Sequence, residues 1–174
     1  MERPGRLARI DVMGSVWFPD RRERTRLGRL VEAAKDRGDD AAVALVANEA
    51  HDWALGREAP SDVVVVPVPP SPDRPNRLVP AVAEAIGRAW SCPVVAAIER
   101  HAATPRLRDL DPAERPAAAL AADYRLTGSI TAGEVVLVDD VILTGTTLEH
   151  LGAVLRAGGA ATVSAAVVAR ARRA

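Results

Sequence analysis

Val135-Val-Leu-Val-Asp-Asp-Val-Ile-Leu-Thr-Gly-Thr-Thr147 is the stretch that decides how this chain folds. Val135 to Val138 is a short apolar run of the kind found in strands covered on both faces. Two carboxylates, Asp139 and Asp140, close it. A turn of small hydroxylated residues then opens a helix from about Thr146 to Ala157, which Gly158 and Gly159 stop. In open α/β sheets, ligands gather outside the carboxyl ends of the strands. A Thr/Gly turn that opens a helix offers several N–H groups to one anion, and the helix dipole adds to them. Gly145 allows close approach of the backbone, while Thr144, Thr146 and Thr147 supply hydroxyl donors. Carboxylates repel phosphate, so something neutral or cationic has to lie between them: a ribose with two hydroxyls, or a magnesium ion.

Outward from that segment, strands and helices alternate. Asp62 to Val68 holds a second β-branched run, Val63 to Val66, ended by a proline-rich exit from Pro67 to Pro72 that no central strand contains. Helical spacing marks Glu23 to Arg37, through Leu27, Leu30, Val31 and Ala34. A second helix opens at Asp39 or Asp40, after Gly38, with Val43, Val46, Ala47 and Ala50 on one face. A third runs from about Asn76 to Trp90, with Pro80 in its first turn, where a missing N–H costs little. Pro93 to Ile98 and Thr162 to Ala169 read as further strands. Glu99 to Ala117 is irregular and charged, the mark of a functional or disordered loop. The pattern predicts one α/β domain over residues 1–174, a mainly parallel twisted sheet with helices on both faces.

Composition excludes several classes. Lys plus Arg is 23 and Asp plus Glu is 23, so no global field draws the chain to nucleic acid or a membrane. Three tryptophans, one tyrosine and one phenylalanine are too few for a single-strand stacking platform. Cys92 is the lone cysteine and reads as a small buried hydrophobe; no disulfide or multi-cysteine zinc site is available. No apolar stretch is long enough to span a membrane and no signal-peptide core is present, so the expected location is the cytoplasm. His51, His101 and His150 lack metal-ligand spacing; His101, beside the irregular loop, is the one of functional interest.

The apolar run, acidic pair and Thr-Gly turn together resemble the phosphoribosyl pyrophosphate (PRPP) signature of type I phosphoribosyltransferases. Over roughly Val16 to Arg170 the chain looks most like the ComF family of these proteins. Val66-Pro-Val-Pro69 matches the segment after that family's first buried strand. Arg74-Pro-Asn76 resembles its Arg-Gly-Phe-Asn, and Lys35 to Asp39 its Lys-x-x-Gly-Asp turn. Arg100, Thr104, Leu110, Glu114 and Arg115 echo the spacing of its mobile loop.

That resemblance implies transfer of a 5-phosphoribosyl group from PRPP to a nitrogenous base or similar acceptor, with release of pyrophosphate. It places Asp139 and Asp140 at the ribose 2- and 3-hydroxyls and as ligands of Mg²⁺, and Leu143 to Thr147 around the 5-phosphate. Val68, Ser71 and Arg74 fall at the pyrophosphate loop and Arg100 at the catalytic edge of the mobile loop. The N–H groups of Val68 and Ser71 are the available donors in that loop, although a plain rigid strand exit explains the prolines equally well. Arg77, Lys35, Arg37, Arg106, Arg108 and Arg115 are further candidates for anionic oxygens, each with a solvated surface as its ordinary alternative. The resemblance also implies an N-terminal hood over residues 1–53, a PRPP-binding core over 62–170, and the option of a homodimer. The partners expected are PRPP, pyrophosphate and a nucleobase-like acceptor, with neither membrane nor direct nucleic-acid binding.

Departures from the family pattern qualify this. The N-terminal zinc ribbon is missing, Arg-Gly-Phe-Asn has lost its Gly and Phe, and Leu107 and Ala118 replace a glutamine and an asparagine of the loop. Leu143 stands where 6-oxopurine salvage enzymes carry a proton-relaying aspartate. A PRPP-sensing or DNA-uptake protein without turnover is therefore a second expectation. A phosphoribosyl hydrolase or other nucleotide-phosphate enzyme is a third.

Overall fold

The computed structural model describes residues 7–17, 23–72, 76–101, 111, 113 and 124–171. Among them, four strands form one parallel sheet: β1 (Ile10–Ser15), β2 (Val63–Pro67), β5 (Glu134–Ile142) and β6 (Thr162–Arg170), in the order β1-β6-β5-β2. The remaining strands, β3 (Ile98–Arg100) and β4 (Tyr124–Leu126), make a separate antiparallel pair in which Arg100 faces Tyr124. Four helices complete the described fold: α1 (Arg26–Asp36), α2 (Asp40–Leu55), α3 (Leu78–Trp90) and α4 (Thr146–Ala157).

Alternation along β5 divides the core. Val136 and Val138 face a cluster with Val31 of α1, Val46 of α2 and Leu78, Val82 and Ile86 of α3. Val135 and Leu137 face the opposite cluster with Leu148, Leu151 and Leu155 of α4 and Ile98 of β3. A strand buried on both faces needs an apolar residue at every position, and Val135 to Val138 supplies it. Truncating Leu137, fully buried, to Ala costs about 2–5 kcal/mol by the usual cavity argument. The expected parallel α/β sheet with helices on both faces is what the chain forms.

Local chemistry sets the helix ends. Thr25 caps α1, accepting from the Gly28 N–H at 2.9 Å and donating to the Ser15 carbonyl at 2.5 Å, which also ties α1 to β1. After α1, Gly38 takes φ +66° and Asp39 caps α2 by accepting from the Ala41 and Ala42 N–H groups. The Lys35 to Asp39 segment is thus a tight turn between two helices, with Lys35 held in the last turn of α1.

Four elements differ from expectation, one of them β4, which lies where no strand was expected. β1 lies outside the expected strands; it pairs parallel with β6, bringing the N-terminal segment into the sheet. Pro93 to Ile98 is not a strand: Val94 makes one bridge to Val65, and the ladder begins only at Ile98. Pro67 is the last residue of β2, tolerated because β2 is the outermost strand of the four. No helix among the described residues is long and apolar enough to cross a membrane.

Candidate functional site

The acidic pair lies in the second half of β5, one strand in from the sheet edge. Successive side chains of a strand point to opposite faces, and the two carboxylates have different surroundings accordingly. Asp140 is 5% exposed. Lys35 Nζ lies 2.8 Å from its Oδ1 and 2.6 Å from its Oδ2, and Asn76 Nδ2 donates to Oδ2 at 3.1 Å. Asn76 is itself fixed, because its Oδ1 accepts the N–H of Leu78, the first residue of α3, at 2.8 Å.

Asp139 is half-buried, and its Oδ1 accepts the Asp140 N–H at 2.8 Å. Burial, and then the charge of Asp140, push its carboxyl up to about 7, against the opposing effects of Lys35 and that N–H. On its side stands Tyr124, whose phenol is raised by burial and by Asp139 and lowered by Arg100. The Arg100 guanidinium lies 5.6 Å from the Tyr124 ring centre, and His150 of α4 packs on the same ring at 5.9 Å.

The turn that follows is built as its sequence requires. Gly145 adopts φ +85°, a conformation a β-branched residue does not tolerate, and begins α4 without a side-chain cap. The Thr144 and Thr146 hydroxyls lie 3.0 Å apart and hydrogen-bond to each other. Leu143, Thr144, Thr146 and Thr147 are half-buried around the buried Gly145. First-turn N–H groups, the Thr144 and Thr146 hydroxyls and a positive dipole end thus lie together after Asp139 and Asp140.

Not every predicted residue joins this centre in the expected way. The Val68 N–H is spent on the Val138 carbonyl at 2.9 Å, extending the β2–β5 ladder, so it has no hydrogen left for pyrophosphate. Ser71 is buried in the proline-rich exit. Lys35 turns to Asp140 rather than to an outer anion. Arg77 is exposed and lies 3.4 Å from Asp40. His101 lies 3.3 Å from Glu99 and His51 3.6 Å from Asp52. Arg74, Thr104, Arg106, Leu107, Arg108, Leu110, Glu114, Arg115 and Ala118 fall outside the described residues. Asn76 and Tyr124 also stand at the acidic pair, and in the sequence only the Arg74-Pro-Asn76 fragment points to the first of them.

Among the described residues, no group of three or more His, Cys, Asp or Glu side chains is placed to hold a metal ion. Magnesium fits by another route, because it takes hard oxygens, keeps several waters and commonly binds one or two carboxylates plus substrate phosphates. Asp139 offers such an oxygen, whereas both oxygens of Asp140 are already engaged.

The carboxyl end of an inner strand, which here carries two carboxylates and a Thr/Gly turn into a helix, is where ligands gather in open α/β sheets. Residues 83–174, just over half of the chain, match the phosphoribosyl transferase domain, and the chain belongs to that family. Among solved structures, "the allosteric regulatory enzyme of purine biosynthesis" is 21% identical with a TM-score of 0.49; the match covers 72% of this chain and 26% of that one. The purine phosphoribosyltransferase from Pyrococcus horikoshii Ot3 is 16% identical with a TM-score of 0.36, over 75% of this chain and 80% of that one. This chain therefore spans about a quarter of the first of these proteins. No curated protein matches it.

Proposed function

We propose that this protein binds PRPP at the carboxyl edge of β5 and transfers its 5-phosphoribosyl group to a nitrogenous acceptor, releasing pyrophosphate. The observation that carries this reading is the direct succession, within one strand-turn-helix unit, of Asp139, Asp140 and the Gly145 turn. A sugar 5-phosphate placed on the α4 N-terminus brings its ring back toward Asp139, where a carboxylate accepts from ribose hydroxyls. An acceptor nitrogen then attacks C1 as the C1–O bond to pyrophosphate breaks, and that electron pair leaves with pyrophosphate. Negative charge grows on the leaving group and positive charge on the ring, so an arginine near the first and a carboxylate near the second both favour the transition state. Arg100, over Tyr124 at the same edge, is the candidate for the first. Asp139 is the residue that would hold a magnesium ion, which would add to the neutralisation of the leaving group.

The resemblance to the ComF family supports a second reading, a PRPP sensor or DNA-uptake protein without turnover. Leu107 and Ala118, apolar where that family has amide side chains, favour it. Titration calorimetry with PRPP and Mg²⁺ tests what the two readings share: saturable heat is expected, and its absence at roughly millimolar ligand sinks both. A pyrophosphate-release screen across nucleobases separates them, turnover with any base supporting the enzyme and silence with all supporting the sensor.

A further inference from the structure

Two carboxylates lie one residue apart beside a turn suited to a phosphate dianion, and such an arrangement repels its own ligand. The chain places a cation there. Lys35, its single lysine, reaches from the last turn of α1 to both oxygens of Asp140, a residue 105 positions away in sequence. Its charge acts on Asp139 as well, opposing the effects that hold that carboxyl protonated. Asn76 completes the hold on Asp140 from the start of α3. Both Lys35 and Asn76 lie outside the 83–174 span of the family match, so this clamp is a feature of the chain's first half.

We propose that Lys35 is the resident cation of the sugar-phosphate site: with Asn76 it locks and neutralises Asp140, so that a ribose 5-phosphate binds beside the acidic pair without a metal ion. The inference rests on the sugar-phosphate reading above. It assigns Lys35 a positioning role, not contact with the reacting atoms. An ammonium 2.6 and 2.8 Å from the two oxygens of a buried carboxylate occupies the place a divalent ion would otherwise fill. Without it, the pair has to take up a further proton, recruit an external cation, or stay doubly charged and repel phosphate. Magnesium dependence then belongs to the pyrophosphate half of PRPP alone.

The test uses the full chain and ribose 5-phosphate, which lacks pyrophosphate, in calorimetry with EDTA and again with excess Mg²⁺. For the wild type the two affinities should agree within about twofold. Lys35→Met should bind at least about tenfold more weakly in EDTA and regain most of that loss with Mg²⁺, while Lys35→Arg stays metal-independent. Circular dichroism establishes that each variant is folded. The wild-type comparison decides the matter even if Lys35→Met is not, because wild-type binding seen only with Mg²⁺ overturns the assignment and leaves the sugar-phosphate site standing. Equal affinity of wild type and Lys35→Met in EDTA overturns it too. Absence of any saturable binding by the wild type, with or without Mg²⁺, overturns both this inference and the reading beneath it.

Discussion

At the scale of single residues, the site is an arrangement of unequal neighbours. Asp139 is held up to about 7 by burial and by Asp140, whereas an unfolded aspartate titrates near 3.9. The folded protein therefore keeps an extra proton between those values. Stability from this group is full below the unfolded value and is lost as pH rises through about 7. Thermal melts from about pH 4 to about pH 8 should show the wild type losing stability relative to Asp139→Asn, which has no proton to lose. Parallel pH profiles for the two proteins would contradict the assignment. Gly145, at φ +85°, has room for a Cβ, whose nearest neighbour is Ile142 Cδ1 at 3.6 Å. The penalty in Gly145→Val is thus conformational, about 1–3 kcal/mol, and falls on the turn itself. That variant should stay folded and lose ribose 5-phosphate binding; retained affinity would move the phosphate elsewhere. Leu143 cannot carry a proton, and positioned acid–base help is typically worth about 10²–10⁴ in rate. Hypoxanthine and guanine should accordingly be poor acceptors beside adenine, orotate and uracil, and hypoxanthine emerging as best would refute this.

At the scale of elements, caps do much of the specifying. The Thr25 hydroxyl accepts from α1 and donates to the Ser15 carbonyl that ends β1, so Thr25→Val removes both bonds at little change in shape. A loss of about 0.5–2 kcal/mol is expected in urea unfolding, read as a lower midpoint at constant m-value. An unchanged midpoint would mean that α1 is held by packing alone. These caps are also why the helices were legible in the sequence: Asp39, Gly38 and the glycines after Ala157 announce the ends of periodic segments. β5 and β2 were legible from their β-branched runs. β1 was not, since Ile10-Asp-Val-Met-Gly-Ser15 carries an aspartate and a glycine and is half-buried throughout. Pro93 to Ile98 misled in the other direction, because apolar content alone does not reveal that it makes a single bridge to β2, at Val94, before the β3 ladder begins at Ile98. In the site, Asp139, Asp140 and the Gly145 turn are contiguous and could be read together. The holds by Lys35 and Asn76 could not, being separated from Asp140 by 105 and 64 positions.

At the scale of the whole molecule, the edge of β5 gathers groups from the end of α1, the start of α3 and the turn before α4. A ligand bound there adds a link to elements that Lys35 and Asn76 already tie to Asp140. Saturating PRPP with Mg²⁺ at about a hundred times its dissociation constant should add about 2.7 kcal/mol to stability, seen as a higher Tm. A Tm that ignores PRPP would argue against binding to the folded state. The sheet itself is assembled from distant segments: β1 pairs with β6 across most of the chain, and β2 with β5. Parallel, non-local pairing of this kind folds slowly for its size.

The same strand order has a consequence for synthesis. β1 and β2 are made early, yet their ladder partners β6 and β5 begin only at Thr162 and Glu134. While the chain is being translated, both early strands leave the ribosome with their principal pairing partners still unmade. A β-branched run such as Val63 to Val66 then waits as an unpaired strand edge, the kind of surface that chaperones shield. Ribosome-bound chains halted before Glu134 have helices to pack but no four-stranded sheet to pack them on.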